Sequence, residues 1–398
     1  MNPAHTLRST TEIRARAHHL LARARAGDSA WFTVHDDALP GAAAEVADLT
    51  LRRFPDLDIP FHSRWRHFEA GGVRRSLDLD GLDPVGRARA MIDLAVVSVL
   101  LDAGAGPDWR YLEDGREFSR SEGLGVASWH AFTSGVFSSE PDRPLQADAA
   151  GLIGLDADAL ATAMQVGPTN PLVGFDGRVD VLRRLGAALA ERPDAFGEPG
   201  RPGGLYDLLI TDPAAPTIAA HDILAVLLAT LSPIWPADNT IDGEPLGDCW
   251  RHGAVPGLGA TAGWMPFHKL SQWLTYSLLE PFTWAGVQVT GIDALTGLPE
   301  YRNGGLLLDT GVLTLRDAGW ASQTWAPADE LVVEWRALTV ALLDEVADLV
   351  RARLGLGADR LPLACVLEGG TWAAGRELAQ RLRGGLPPLT VSSDGTVF

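Results

Sequence analysis

The sequence predicts a mainly helical fold in which strands are short. Apolar residues recur at spacings of three and four over several long stretches, the longest from about Asp329 to Leu354. Helix-start residues such as Asp83-Pro84 stand at the heads of such stretches. Only the tail reads as a strand-helix-strand unit: a strand over Leu361 to Leu367, a turn at Glu368-Gly369-Gly370-Thr371, a helix over Trp372 to Leu382 and a second strand at Leu389-Thr390-Val391.

At 398 residues the chain can bury a substantial core as one large domain or two ordinary ones. We read residues 1–398 as a single α-rich domain. It divides into an N-terminal lobe over about 1–193 and a C-terminal lobe over 205–398 that carries most candidate site residues. The Pro- and Gly-rich stretch from Asp194 to Gly204 is the expected surface connection.

A net charge of −18 argues against a nucleic-acid surface, which needs a basic patch, but leaves local arginine pockets open. Two cysteines, Cys249 and Cys365, make neither a disulfide framework nor a cysteine zinc site and suit a reducing cytoplasm. The first 26 residues are arginine-rich with one acid, Glu12, a composition shared with transit peptides. No long apolar region follows, so an amphipathic helix is expected there. The apolar run Leu94 to Leu101 is far shorter than the ~20 residues a membrane span needs. The expectation is a soluble, cytoplasmic protein without membrane or nucleic-acid partners.

In chain order, helices are expected over 11–26 and 41–53, separated by a turn at 36–41. Phe61 to Phe68 then crowds Arg64, Arg66, His62, His67 and three aromatics, Trp65 among them, into eight positions. Such a cluster can stack a planar group and hold an anion; its alternating residues equally fit one face of a strand. The helix from Asp83 is apolar all round, hence buried, with Gly104 as its C-cap, and Asp93 within it needs a partner. Ser119 or Ser121 starts another helix, and His221 to Leu231 forms a further one.

Pro266 to Pro281 reads as one helix bounded by its prolines, with Phe267, Leu270, Leu274 and Leu278 on an apolar stripe. Lys269, Gln272, Tyr276 and Glu280 form a polar stripe facing a cavity or water. Of 33 basic residues Lys269 is the only lysine, and it follows His268. It is either a phosphate or substrate contact or a residual surface lysine. Further on, Glu300 and Arg302 flank Tyr301 at a tight turn. Glu334 and Arg336 lie on apolar surface of the long helix and need either partners, as in a buried structural salt bridge, or a pocket.

These stretches together resemble the uracil catabolism protein 4 family over nearly the whole chain. The resemblance rests on Ser-Arg-Trp-Arg-His-Phe at 63–68, Arg-Ser-Glu-Gly-Leu at 120–124, Pro-Phe-His-Lys-Leu-Ser-Gln-Trp-Leu at 266–274 and Glu-Tyr-Arg-Asn-Gly-Gly at 300–305. Glu-Trp-Arg at 334–336, Glu-Gly-Gly-Thr-Trp at 368–372 and Ser-Asp-Gly-Thr-Val-Phe at 393–398 complete it. The family belongs to a uracil-degrading pathway that passes through ribosylurea-type intermediates and releases urea. A weaker resemblance, to the helical queuosine 5′-phosphate N-glycosylase family, lies in the order Phe-His-Lys, Glu-Tyr-Arg, Glu-Trp-Arg. That family hydrolyses an N-ribosidic bond. It carries an acid about three turns after Phe-His-Lys, where this chain has Ser277, and the nearest acid here is Glu280.

The resemblances imply hydrolysis of the N-glycosidic bond of a ribosylurea-type substrate, as its 5′-phosphate, to urea or a ureido product and ribose phosphate. The substrate is then a nucleoside- or nucleotide-like ureide, no cofactor is called for, and other enzymes of the pathway are candidate partners. Such a reaction needs a carboxylate near the sugar, assigned to Glu300 or Glu280 with Asp248 in reserve, and a proton donor to the leaving nitrogen. Lys269, His268, Arg302 and Arg336 would bind phosphate or substrate with Arg64, Arg66 and His67. Trp65, Trp250 and Tyr301 would wall the base side, and Glu334 would orient an arginine. Two alternatives stand: a metabolite-binding or scaffold protein, and a metal-dependent amidohydrolase-like enzyme using His62, His67, His252 and His268. No metal-site spacing joins those histidines, so no metal is assigned.

Overall fold

The computed structural model describes residues 2–235 and 239–392, with the backbone alone at 77 and 78. Helices dominate, and the described strands are two or three residues long and pair only two at a time. No described helix is long and apolar enough to cross a membrane. The residues group into two compact units, each assembled from separated segments: 2–62, 239–272 and 291–392 in the first, 63–235 and 273–290 in the second.

The first unit is built on the helix Glu330–Leu354, buried on every side from Leu331 to Leu343 and closed by Gly355 at φ +67°. The helices Thr10–Arg25 and Leu39–Arg53 pack against it. Ser9 caps the first of these through its side chain. A second contact joins the helices Tyr301–Asp309 and Trp372–Arg383. It is close enough that a Cβ on Gly375 would lie 2.1 Å from the Arg302 carbonyl oxygen.

Two expectations fail in this unit. The strand expected over Leu361 to Leu367 is helical: Leu363–Val366 is α, Leu367–Thr371 is a π turn, and the chain runs on into Trp372–Arg383. A continuous apolar run carries no period that separates strand from buried helix. The two glycines of the expected turn serve close packing instead, since a Cβ on Gly370 would sit 2.5 Å from the Val46 carbonyl oxygen. The second strand forms, Thr390–Val391, parallel to Thr324–Trp325. Nor does the expected 266–281 helix start at Pro266, which ends the strand Trp264–Pro266 paired with Cys249–Arg251. His268, at φ +49°, breaks the chain direction, and the helix runs from Lys269 to Trp284 with Pro281 inside it. Its supposed open stripe is packed away: Gln272, Tyr276 and Glu280 are all buried.

In the second unit the helix Pro84–Leu101 has Asp83 as its side-chain cap and is buried all round, as expected, from Ala90 to Leu101. It ends at Asp102 rather than Gly104. Asp93 finds the partners its burial demands, bonding to the Arg201 guanidinium at 2.6 and 2.9 Å and the N–H groups of Gly203 and Ala147. The helix Arg120–Thr133 packs beside it, against the hairpin Tyr111–Glu113/Arg116–Phe118. That hairpin turns on Asp114 and Gly115, both at positive φ, as a two-residue turn requires. The 194–204 stretch lies in this unit.

Replacement of Gly375 by Ala should lower the stability of the chain by about 1–3 kcal/mol, despite alanine's better helix propensity, because the helices must part to admit the methyl group. Urea denaturation of the two proteins would measure it.

Candidate functional site

The first unit gathers a polar cluster around Asp248. This residue precedes the strand Cys249–Arg251, and its carbonyl oxygen accepts the N–H groups of Phe267 and His268, both at 3.0 Å. The strand pair thus returns the chain to Asp248 where the next helix begins. There the carboxylate accepts the Lys269 N–H at 2.9 Å and so caps that helix. The same carboxylate is held in a two-pronged pair by Arg336, 2.7 Å at each oxygen, and accepts the Trp250 indole N–H at 2.7 Å. Arg336 also donates Nε to the Pro299 carbonyl at 3.2 Å, and its guanidinium lies 4.0 Å over the Phe267 ring.

Asp248 and Arg336 are both buried. Desolvation pushes the Asp248 pKa up, but the charge and hydrogen bonds of Arg336, with the N–H donors, outweigh it and leave it below its ordinary value. Asp248 is therefore a charged fixture. Arg336 thus finds in Asp248 the buried salt-bridge partner that its place on the long helix requires.

Glu300 is the N-cap of the helix Tyr301–Asp309, accepting the N–H groups of Arg302 at 2.6 Å and Asn303 at 2.7 Å. Desolvation raises its pKa above the ordinary value; the two N–H bonds and the charges of Lys269 and Arg302 only partly offset this. Arg302 is buried, 4.6 Å over the Tyr301 ring, while Tyr301 is exposed. The Pro299–Arg302 loop thus joins the Asp248 cluster through Arg336 and through the field of Lys269 on Glu300.

Two predicted residues of this unit have other work. His268 is buried with Nε2 3.0 Å from the Leu7 carbonyl, and its pKa is lowered, chiefly by desolvation. Glu334 bonds to Ser29 and, at 3.0 Å, to Nε2 of His252, rather than to an arginine. His252 Nδ1 accepts the Ala254 N–H, so the proton sits on Nε2. The His62 ring pairs with Glu368 at 2.9 Å, which Arg53 also binds. Among the described residues no group of three or more His, Cys, Asp or Glu is arranged to hold a metal ion.

The second unit holds the remaining candidates. Arg64 is fully buried: Nε bonds to Ser98 at 2.7 Å and Nη1 to Asp102 at 2.7 Å, with His67 Nδ1 at 3.2 Å from Nη1. Desolvation lowers its pKa. Glu280 bonds to Ser63 and to Arg66, the latter at 2.6 Å. Trp65 is buried edge-on to Trp284 and Phe68, and its indole N–H bonds to the Ser277 carbonyl at 2.9 Å. The Phe61–Phe68 stretch is therefore no strand; Trp65–Phe68 forms a short helix. Sequence reading missed Ser29, Ser63, Asp102 and Phe267 as partners. Ser29 and Asp102 carry no signal of their own, and Ser63 and Phe267, though they stand in the quoted motifs, give no sign of their partners, because each acts through a neighbour distant in sequence.

Asp248→Asn and Arg336→Met should each cost about 3–5 kcal/mol, because each leaves one buried charge unpaired, while the double variant should recover part of the loss. Because the folded Asp248 pKa is depressed, its contribution is present above the unfolded value and is lost as pH falls through the lower folded one. Denaturant melts of the four proteins between pH 7 and pH 3 would measure both effects.

Comparison with known proteins places this geometry in a lineage. A family model described as "Protein of unknown function (DUF1688)" matches residues 6–398. The chain is 39% identical to "Protein urg3" of Schizosaccharomyces pombe over 405 aligned positions, 98% of each chain. It is 40% identical to "Uracil catabolism protein 4" of Lachancea kluyveri over 377 positions, 85% of each chain. The motif at 393–398 lies outside the described residues, but the other motifs quoted above fall within both the match and the described structure. On this match over nearly its full length, the chain belongs to the uracil catabolism protein 4 family.

Proposed function

We propose that the protein acts in uracil catabolism as an N-ribosyl hydrolase, cleaving the N-glycosidic bond of a ribosylurea-type substrate, as its 5′-phosphate. The pathway assignment is supported by the relative named for uracil catabolism. The observation that carries the reaction is Glu300, a carboxyl group with a raised pKa beside the cationic side chains of Lys269 and Arg302. A carboxyl that holds its proton to higher pH than an ordinary carboxylate suits donation to a leaving nitrogen.

In this reading Glu300 protonates the ureido nitrogen as the C1′–N bond breaks and its electron pair passes to nitrogen. Water adds at C1′ of the oxocarbenium-like sugar and returns its proton to the Glu300 carboxylate, so the products are ribose phosphate and urea or a ureido compound. Lys269 supplies the phosphate charge. Arg336, whose three nitrogens already donate to Asp248 and Pro299, acts by positioning the Lys269 backbone and the Glu300 loop.

The purified protein should release urea and ribose phosphate from ribosylurea 5′-phosphate, and neither from uridine nor UMP. Glu300→Gln should lower kcat by about 10²–10⁴. Because the protonated acid is the active form, kcat should fall as pH rises through the raised Glu300 pKa, above the ordinary carboxylate range. Thermal stabilisation by the ureide without product at any pH would replace the hydrolase with a metabolite-binding protein.

A further inference from the structure

Besides Arg8 at Nε and Trp264 at Nε1, three side chains of the first unit bury polar atoms that have no hydrogen-bond partner among the described residues: Arg302 at Nε and Nη1, Asn303 at Oδ1 and Thr371 at Oγ1. Their exposures are 4%, 0% and 0%. An unpaired buried polar atom is costly, so four in one neighbourhood are a burden on the fold unless a ligand meets them.

They are neighbours through two packed helices. The Arg302 backbone lies on Gly375, and Thr371 is four residues before Gly375, one helical turn of about 5.4 Å. Asn303 follows Arg302, and its orientation is set by Nδ2 donating to the Leu298 carbonyl at 3.0 Å, which leaves the oxygen as the unpaired end. Stacking on Tyr301 holds the Arg302 guanidinium.

The pattern is two donors, one acceptor and a hydroxyl that can act as either. A phosphate offers its ionised oxygens only as acceptors, so Asn303 Oδ1 would oppose it. A ureido group offers a carbonyl acceptor flanked by N–H donors, which matches every atom of the set. We propose that Arg302, Asn303 and Thr371 form the recognition site for the planar ureido end of the substrate. Arg302 donates to its carbonyl oxygen, Asn303 accepts from its terminal NH₂, and Thr371 completes the ring of contacts. This rests on the proposed function for the identity of the ligand, and it reassigns Arg302 from phosphate to ureide. It also places the substrate nitrogen beside the proton donor, because the N–H groups of Arg302 and Asn303 are those that bind the Glu300 carboxyl.

The test uses carbocyclic ribosylurea, with and without the 5′-phosphate, whose C–N bond is not glycosidic and does not hydrolyse. Its counterpart is the methyl carbamate, in which OCH₃ replaces the terminal NH₂. By calorimetry the parent protein should bind the ureide at least tenfold more tightly than the carbamate. Thr371→Val, which is nearly isosteric and loses no protein hydrogen bond, should keep or raise the Tm yet weaken ureide binding about tenfold. Arg302→Lys should weaken it further. Equal Kd values for ureide and carbamate, an unchanged Kd in Thr371→Val, or no binding of either ureide would each overturn the proposal. Discrimination without turnover of ribosylurea 5′-phosphate would leave this site standing and remove the hydrolase reading; turnover without discrimination would do the reverse.

Discussion

The first unit depends on the pairing of Asp248 with Arg336. The Asp248 backbone carbonyl closes the turn out of a strand pair, and its carboxylate caps the helix that begins at Lys269, fixes an indole and meets the guanidinium of Arg336, while that guanidinium fixes the loop leading to Glu300. A buried ion pair is weak evidence of stability, since desolvation of both partners opposes their attraction. Its use here is geometric. Four segments far apart in sequence meet on one pair of charges, and the polar side chains nearby inherit their positions from it.

A comparable economy explains the helix that ignores its proline. Pro281 has no N–H to give the Ser277 carbonyl one turn back, and such a residue ordinarily stops or kinks a helix. The Trp65 indole N–H supplies the missing donor, and Ser277 Oγ accepts the Arg64 N–H. The Ser-Arg-Trp-Arg-His-Phe motif is thus joined to this helix within the second unit. Ser277 serves that junction through both its backbone carbonyl and its hydroxyl.

How much of this was legible depended on whether the determining partner was near in sequence. Helix ends set by local residues were readable: Asp83 before Pro84 caps its helix, and the period of 329–354 marks a helix buried on several sides. Burial also told truly that Asp93, Glu334 and Arg336 need partners, because an unpaired charge is costly wherever it is enclosed. Which partner each takes was not readable. Arg336 finds Asp248, 88 positions away, and Glu334 finds Ser29, 305 away. The strand expected at Leu361–Leu367 failed for a related reason: what fixes that run is the close approach of Gly369 and Gly370 to the helix Leu39–Arg53.

Glu300 brings the structural and chemical demands into one group. As an N-cap it would be best ionised, since a carboxylate accepts N–H bonds more strongly and complements the positive end of the helix. Desolvation pulls the other way, and the net shift is upward. A residue kept only as a cap could be Asp, Ser or Thr at little cost, and those shorter side chains are the ones helix starts favour. The longer glutamate, placed by the Arg336–Pro299 bond and flanked by unpaired donors and an acceptor on Arg302 and Asn303, is better explained by a second partner. A carboxyl that can surrender its proton while the two N–H groups hold the resulting carboxylate has its charged product state stabilised in advance. Preorganisation of that kind is what a proton donor requires.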